Sequence, residues 1–192
     1  KDRPLFIAIE DFNQKLSLLW YRTALINYLY VYRHKWIRDD HDKLITSSEK
    51  IISHKHGGKE IPSGFFFLPD AENISAVLFS NSATIAKFNR MGKLAGFGSE
   101  KVKMIRKGNR YNPDPKATDP MPFVIIIEPE KTIEHWSEGL SMYHNPRALH
   151  PIAEDLFPDI AHHRLLEGNL LGGVIPPFFP FASITHIILE RE

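Results

Sequence analysis

Apolar positions along the chain follow several distinct patterns. Pro4-Leu5-Phe6-Ile7-Ala8-Ile9 is a continuous run without alternation, which predicts a strand covered on both faces with neighbours on either side. From Leu18 to about Trp36 the residues Leu18, Tyr21, Leu25, Tyr28, Leu29, Tyr32 and Trp36 recur at steps of three and four. That spacing predicts a long amphipathic helix of about five turns after the first strand. Lys50–His56, Gly57-Gly58 and Lys59–Leu68 read as a hairpin on a Gly-Gly turn, with Pro62 restricting pairing on the second arm. Ile74–Phe79 is a short apolar strand followed by a Ser80-Asn81-Ser82 turn.

Further along, Ala83–Met91 fits either another strand or a short helix ended by Gly92, and periodicity does not separate the two. Val102–Arg106 alternates as a strand does, the prolines at 113, 115, 120 and 122 mark a loop, and Phe123–Ile127 reads as a buried strand. Thr132–Tyr143 and Leu156–Leu166 have helical patterns, and Ser183–Leu189 is a final strand. This order predicts an α+β (or α/β) domain over residues 1–192, built on one central mixed sheet. A covered strand so near the first residue has two readings. Either the chain is a C-terminal piece of something longer, or this is the ordinary first strand of a central sheet.

Composition narrows the chemistry. With 192 residues, 13 Phe and 3 Trp, the chain has enough apolar area to fold. The absence of Cys excludes disulfides, thiol nucleophiles and Cys-containing metal sites. The longest apolar runs, Phe123–Ile127 and Pro176–Phe181, are too short to cross a bilayer, and the N-terminus lacks a signal-peptide pattern. The expectation is a cytoplasmic protein with no membrane partner.

Five strings carry a resemblance: Ile61-Pro-Ser-Gly-Phe-Phe-Phe, Asn73-Ile-Ser-Ala-Val-Leu-Phe-Ser-Asn-Ser, Lys87-Phe-Asn-Arg-Met-Gly, Gly139-Leu-Ser-Met-Tyr-His-Asn-Pro and Phe157-Pro-Asp-Ile-Ala-His-His. Together they make nearly the whole chain resemble a group of uncharacterised bacterial proteins. In longer members, a segment similar to Pro4–Phe12 follows a region that looks like a restriction-endonuclease core. The resemblance implies that residues 1–36 are the tail of such a core and 37–192 the main part, with the core's carboxylate-and-lysine metal site upstream. It implies no activity residue by residue.

Overall charge is +1, which argues against a wholesale polyanion binder. Its distribution is uneven. Between Lys87 and Arg110 stand eight basic residues (Lys87, Arg90, Lys93, Lys101, Lys103, Arg106, Lys107, Arg110) against Glu100 alone, a local +7 that leaves −6 elsewhere. With Phe88, Phe97 and Tyr111 interleaved, this window suits a phosphate backbone of DNA or RNA. Its plainer reading is a solvated strand face balanced by the acidic remainder.

Three groups suggest metal or acid–base chemistry. His54 and His56 share a strand face and suit a metal ligand pair lacking a third partner. Asp159, His162 and His163 cluster after His144 and His150, and helical spacing lets Asp159 reach His162 or His163. The two adjacent histidines point apart, so the functional reading has one as base or ligand and the other packed, and the plainer reading has satisfied structural histidines. Glu10-Asp11 closes the first strand, where open sheets place ligand crevices and a carboxylate holds Mg²⁺ or another divalent metal.

Two function classes follow. The first is a nucleic-acid-binding, nuclease-associated protein whose metal-dependent phosphodiester chemistry is completed outside this chain. In it Glu10, Asp11, His162 and His163 are catalytic, Asp159, His163, His54 and His56 serve metal, and the basic window holds phosphate. The second is a non-catalytic protein–protein interaction or assembly module. Its docking surface is the aromatic, proline-rich C-terminal third around Pro176–Phe181.

Overall fold

The computed structural model describes residues 3–11 and 17–189, with only the backbone course given for His56 and residues 17–21. The fold is α+β. In chain order its elements are β1 (Phe6–Glu10), α1 (Ser17–Tyr30), β2 (Tyr32–Arg38), β3 (Leu44–Lys50), β4 (Ser53–His56), β5 (Lys59–Pro62), β6 (Ala76–Ser80), α2 (Ile85–Leu94), β7 (Val102–Arg110), β8 (Met121–Ile126), β9 (Ser141–His144), β10 (Ala161–Leu165), β11 (Leu171–Val174) and β12 (Pro180–Leu189).

The single central sheet expected from the sequence resolves into four. A five-stranded mixed sheet runs β1-β6-β9-β10-β11, a three-stranded antiparallel sheet runs β12-β7-β8, and β2-β3 and β4-β5 are hairpins. β1 pairs parallel with β6 through Phe6↔Ala76 to Glu10↔Ser80 and forms the sheet's edge. Leu5, Phe6 and Ile7 are 55, 38 and 37% exposed, which corrects the reading of a strand covered on both faces. An unbroken apolar run also fits an edge strand with an uncovered face.

The helix expected to reach Trp36 ends at Tyr30, because Val31 adopts φ 71°, a left-handed conformation that α-helices do not continue through. Tyr32 and Trp36 belong to β2, where aromatic and β-branched residues suit an extended backbone. The hairpin at Gly57-Gly58 forms as the sequence predicts. Both glycines have positive φ (55° and 75°), the requirement of a type I′ turn, and β5 stops at Pro62.

Ala83–Met91 resolves as helix. Thr84 caps it by accepting from the Lys87 amide at 3.2 Å, and α2 runs through Gly92 to Leu94. Its exit uses Gly96 at φ 84°. Two expected helices are absent. Residues 131–140 form turns leading into β9, with Gly139 at φ 83°. Leu156–Leu166 divides into a 3-10 turn (Glu154–Leu156), Pro158 and the strand β10.

The five-stranded sheet buries side chains on both faces. On one face Val77, Phe79 and Tyr143 pack with Leu29 and Tyr30 of α1 and with Phe66. On the other, Ala76 and Met142 pack with Ile152 and Ile160 from the segment between β9 and β10. Tyr30 ties the centre together: its hydroxyl lies 2.8 Å from the His144 carbonyl and 3.1 Å from that of His163.

Candidate functional site

The basic window does not stand on one face. α2 presents Lys87 and Arg90 inward, and alternation along β7 turns Arg106 the same way. Glu134 and Glu138 meet them from the 131–140 turns. Arg90 grips Glu134 bidentately, Nε to Oε2 at 2.8 Å and Nη2 to Oε1 at 2.6 Å, and its Nη1 donates to Thr185 Oγ1 at 2.6 Å. Arg106 Nη1 lies 3.3 Å from Glu134 Oε1 and 2.8 Å from Glu138 Oε2, while its Nε donates to Ser183 Oγ at 3.1 Å. Lys87 Nζ donates to the carbonyls of Trp136 and Glu138, each at 2.9 Å. Burial pulls the Lys87 ammonium below its ordinary value, against the upward pull of Glu134 and Glu138.

Lys87, Arg90 and Arg106 are 2, 3 and 4% exposed, so the expectation that they touch phosphate is corrected. No polyanion reaches them without dismantling this network. The other five remain nearer the surface. Lys93 donates to the Ser99 carbonyl at 3.0 Å, Arg110 to the Pro177 carbonyl at 3.0 Å, and Arg110 also lies over the Phe178 ring. Lys101, Lys103 and Lys107 are exposed, the first two while engaged in contacts of their own.

Lys103 and Lys107 alternate outward along β7. Across the outer face, Ile184 and Val124 flank Lys107, His186 and Ile126 flank Ile105, and Ile188 sits opposite Lys103. Four of these aliphatics stand well out of the protein: Val124 65%, Ile126 57%, Ile184 61% and Ile188 47% exposed. Among the described residues in these three rows there is no carboxylate. The run Phe123–Ile127 was expected to be fully buried; instead its residues alternate between the inner and the outer side of β8. A run in which every residue is apolar hides which half faces out.

The histidines separate along β10. Adjacent strand residues point to opposite faces, and His163 stacks on Tyr143 at 4.9 Å on the α1 side. Burial pushes the His163 imidazole down to about 4, with Arg22 adding to the effect. His162 points to the other face, where its Nδ1 lies 2.8 Å from His144 Nε2 and its Nε2 lies 2.9 Å from the Phe157 carbonyl. A carbonyl only accepts, so His162 carries its proton on Nε2 and its Nδ1 accepts from His144. His144 is pushed down to about 4 by burial, then by Arg164 and His162.

Glu154, in the turn over this pair, accepts from Arg164 Nε at 2.8 Å, and that hydrogen bond holds its carboxyl below the ordinary range. Among the described residues, His144, Glu154 and His162 are the group of three or more whose ligand atoms all lie within 4.8 Å of one another. The expected Asp159–His163 pairing is corrected: no helix spans them, Asp159 is exposed, and the three-residue group contains neither. Glu154 went unrecognised because its proximity depends on a turn that periodicity does not signal.

The other candidates stand apart from this group. Glu10 is exposed at the end of β1, and the Asp11 amide donates to the Ser80 carbonyl. His54 Nε2 lies 3.1 Å from Ser63 Oγ, and its ring meets Tyr28 edge-on. The His56 side chain lies outside the described residues. The Pro176–Phe179 segment lines a cleft of about 640 Å³ with Ile125, Ile133, Ile160 and Asp159.

Comparison of the chain with protein-family models, with curated proteins and with solved structures found no match to any of them. The fold and these sites therefore define a class alone, an α+β protein with an internal ion network and an uncovered sheet face. No helix among the described residues is long and apolar enough to cross a membrane.

Proposed function

We propose that this chain is an interaction module that docks an extended, acidic and aliphatic protein segment on the outer face of β12-β7-β8. The observation that carries this reading is the pattern on that face. Branched aliphatic side chains stand in solvent in adjacent rows, with basic residues between them. A sheet buries one face against its own core, and a second apolar face implies something that covers it. Lys107, exposed in the central row, favours a carboxylate on whatever lies there.

A second copy of the chain would bring the lysine-bearing strands of both copies together, a like-charge juxtaposition that weakens the contact. Nucleic acid fits less well. Three of the eight basic residues are committed inside, and among the described residues of these rows the His186 imidazole is the one ring on which a base could stack. β8 also ends the sheet, so a segment laid beside it gains main-chain hydrogen bonds as well as side-chain contact.

Fluorescence anisotropy with three labelled probes tests the proposal: a short peptide alternating valine and glutamate, its valine–lysine counterpart, and a short DNA duplex. The acidic peptide is expected to bind more tightly than the basic one. Ile126→Ser and Ile184→Ser should each weaken it about tenfold, the equivalent of about 1.4 kcal/mol of lost apolar burial. Lys107→Glu should erase the preference for the acidic probe. Equal binding of the two peptides sinks the proposal. So does tighter binding of the duplex, with a salt slope of roughly 0.9 per phosphate contact.

A further inference from the structure

The geometry points to a second site, independent of the docking face. We propose that His144, His162 and Glu154 form a three-ligand site for a borderline transition-metal ion, Zn²⁺ above all. Two imidazoles and one carboxylate are the donor set of open zinc sites, in which a fourth position stays free for water or another ligand. The mixed nitrogen and oxygen donors favour Zn²⁺, Co²⁺ or Ni²⁺ over Mg²⁺, which prefers oxygen alone.

The neighbourhood is arranged as such ligands require. His162 donates Nε2–H to the Phe157 carbonyl at 2.9 Å, which fixes the ring and leaves the Nδ1 lone pair facing His144, while Glu154 brings a carboxylate oxygen within 4.8 Å of a ligand nitrogen on each histidine. A backbone carbonyl on the non-ligating nitrogen is the usual outer support of a metal-bound histidine. Arg164 Nε holds Glu154 Oε1 at 2.8 Å, positioning the carboxylate. Both histidines are nearly sealed from solvent (5 and 2% exposed), while Glu154 is half-buried in the overlying turn and offers the way in.

Metal entry replaces one hydrogen bond. In the metal-free protein His144 Nε2–H bonds His162 Nδ1 at 2.8 Å. Two nitrogens bound tetrahedrally at 2.0–2.1 Å stand about 3.3 Å apart, so the rings open by about half an ångström. The proton on His144 Nε2 passes through solvent to Nδ1 of the same ring, which frees Nε2 to ligate. No net proton is lost in this exchange.

The test uses tag-free protein stripped with EDTA. Zn²⁺ should raise the thermal midpoint, because an ion that binds only the folded form must stabilise it, whereas Mg²⁺ should leave it unchanged. Co²⁺ should give the visible absorption of a four-coordinate ion, with one equivalent saturating the signal. Glu154→Gln, in a partly exposed turn where folding tolerates change, should weaken Co²⁺ at least tenfold, and His162→Gln should abolish the signal. His54→Gln should bind like wild type. The site is refuted if Zn²⁺ and Co²⁺ do not bind, if Glu154→Gln binds them unchanged, or if His54→Gln is the variant that loses them.

Discussion

Lys87 sits three residues before Arg90 on α2, and in the sequence both read as members of a basic surface window. Their partners, Glu134 and Glu138, lie more than forty positions away, in a segment whose spacing suggested a helix of its own. Nothing local announces such a pairing, so the sequence shows the charge but not its burial. The buried ammonium gives a sign that can be measured. Burial lowers the folded pKa of Lys87 below its ordinary 10.5. Between the two values the unfolded chain holds more protons, so stability contributed at this position rises with pH. Replacing it by Lys87→Met removes that titration and leaves two carbonyls without their donor. Urea unfolding should therefore find the wild type more stable than the variant, with the gap widening as pH rises toward 10.5. Other lysines and tyrosines titrate in both proteins and cancel in the difference. A gap that narrows with rising pH would mean that the ammonium is favoured inside, contrary to the desolvation argued here.

Elements were legible where one residue dictates the backbone, and obscure where periodicity had to decide. Gly57-Gly58 fixed a hairpin, whereas Ala83–Met91 stayed open between strand and helix: Gly92, the expected stop, lies inside α2, and the cap at Thr84 and the exit at Gly96 show only in the structure. The helical pattern of Thr132–Tyr143 misled, since Ile133 and Trp136 within it are 80 and 55% exposed and belong to no buried stripe. The end of α1 was equally hidden, because a valine at φ 71° is not a residue that signals a stop. What holds Val31 there is visible only in three dimensions: its amide donates to the Asn27 carbonyl at 3.2 Å and its carbonyl accepts from the Ile51 amide at 2.7 Å. Gly64, at φ 81°, donates its amide to the Tyr28 carbonyl at 2.7 Å, and a Cβ added to it would lie 2.8 Å from Val31 Cγ2. Gly64→Ala is thus expected to cost about 1–3 kcal/mol through strain and collision. In a Val31→Gly background the collision disappears and the cost should fall, giving an interaction energy of at least about 0.5 kcal/mol in a double-mutant cycle. Strictly additive costs, measured by denaturant midpoints at constant m, would show that helix end and hairpin base do not constrain one another.

At the scale of the molecule, the buried ions connect parts that the sheet hydrogen bonds leave separate. Arg90 comes from α2, Glu134 and Glu138 from the 131–140 turns, Arg106 from β7, and Thr185 and Ser183 from β12. One cluster thus joins a helix, a loop and two strands of the three-stranded sheet, which leaves the opposite face of that sheet as the exposed one. Net charge near zero concealed this, because the +7 window and the −6 remainder cancel partly in space as well as in sum. Burying such charges is favourable only while every member is paired. Glu134 is 1% exposed at its side chain and faces two guanidinium groups that are 3 and 4% exposed. Glu134→Gln leaves those two cations without a full counter-charge, and the expected loss is about 3–5 kcal/mol. If the pairing rather than the volume is at stake, replacing the three ions together should cost less than replacing one. Compared in a Glu138→Gln background, so that no carboxylate is left without Arg106, Arg90→Met, Glu134→Leu and Arg106→Leu combined remove every charge that Glu134→Gln strands, and well-packed apolar substitutes for buried ion groups are often neutral. Chemical denaturation of the background protein, the single variant and the triple variant decides the matter. A triple variant weaker than Glu134→Gln would mean that the hydrogen bonds to Thr185, Ser183 and position 138, rather than charge balance, hold helix and sheet together.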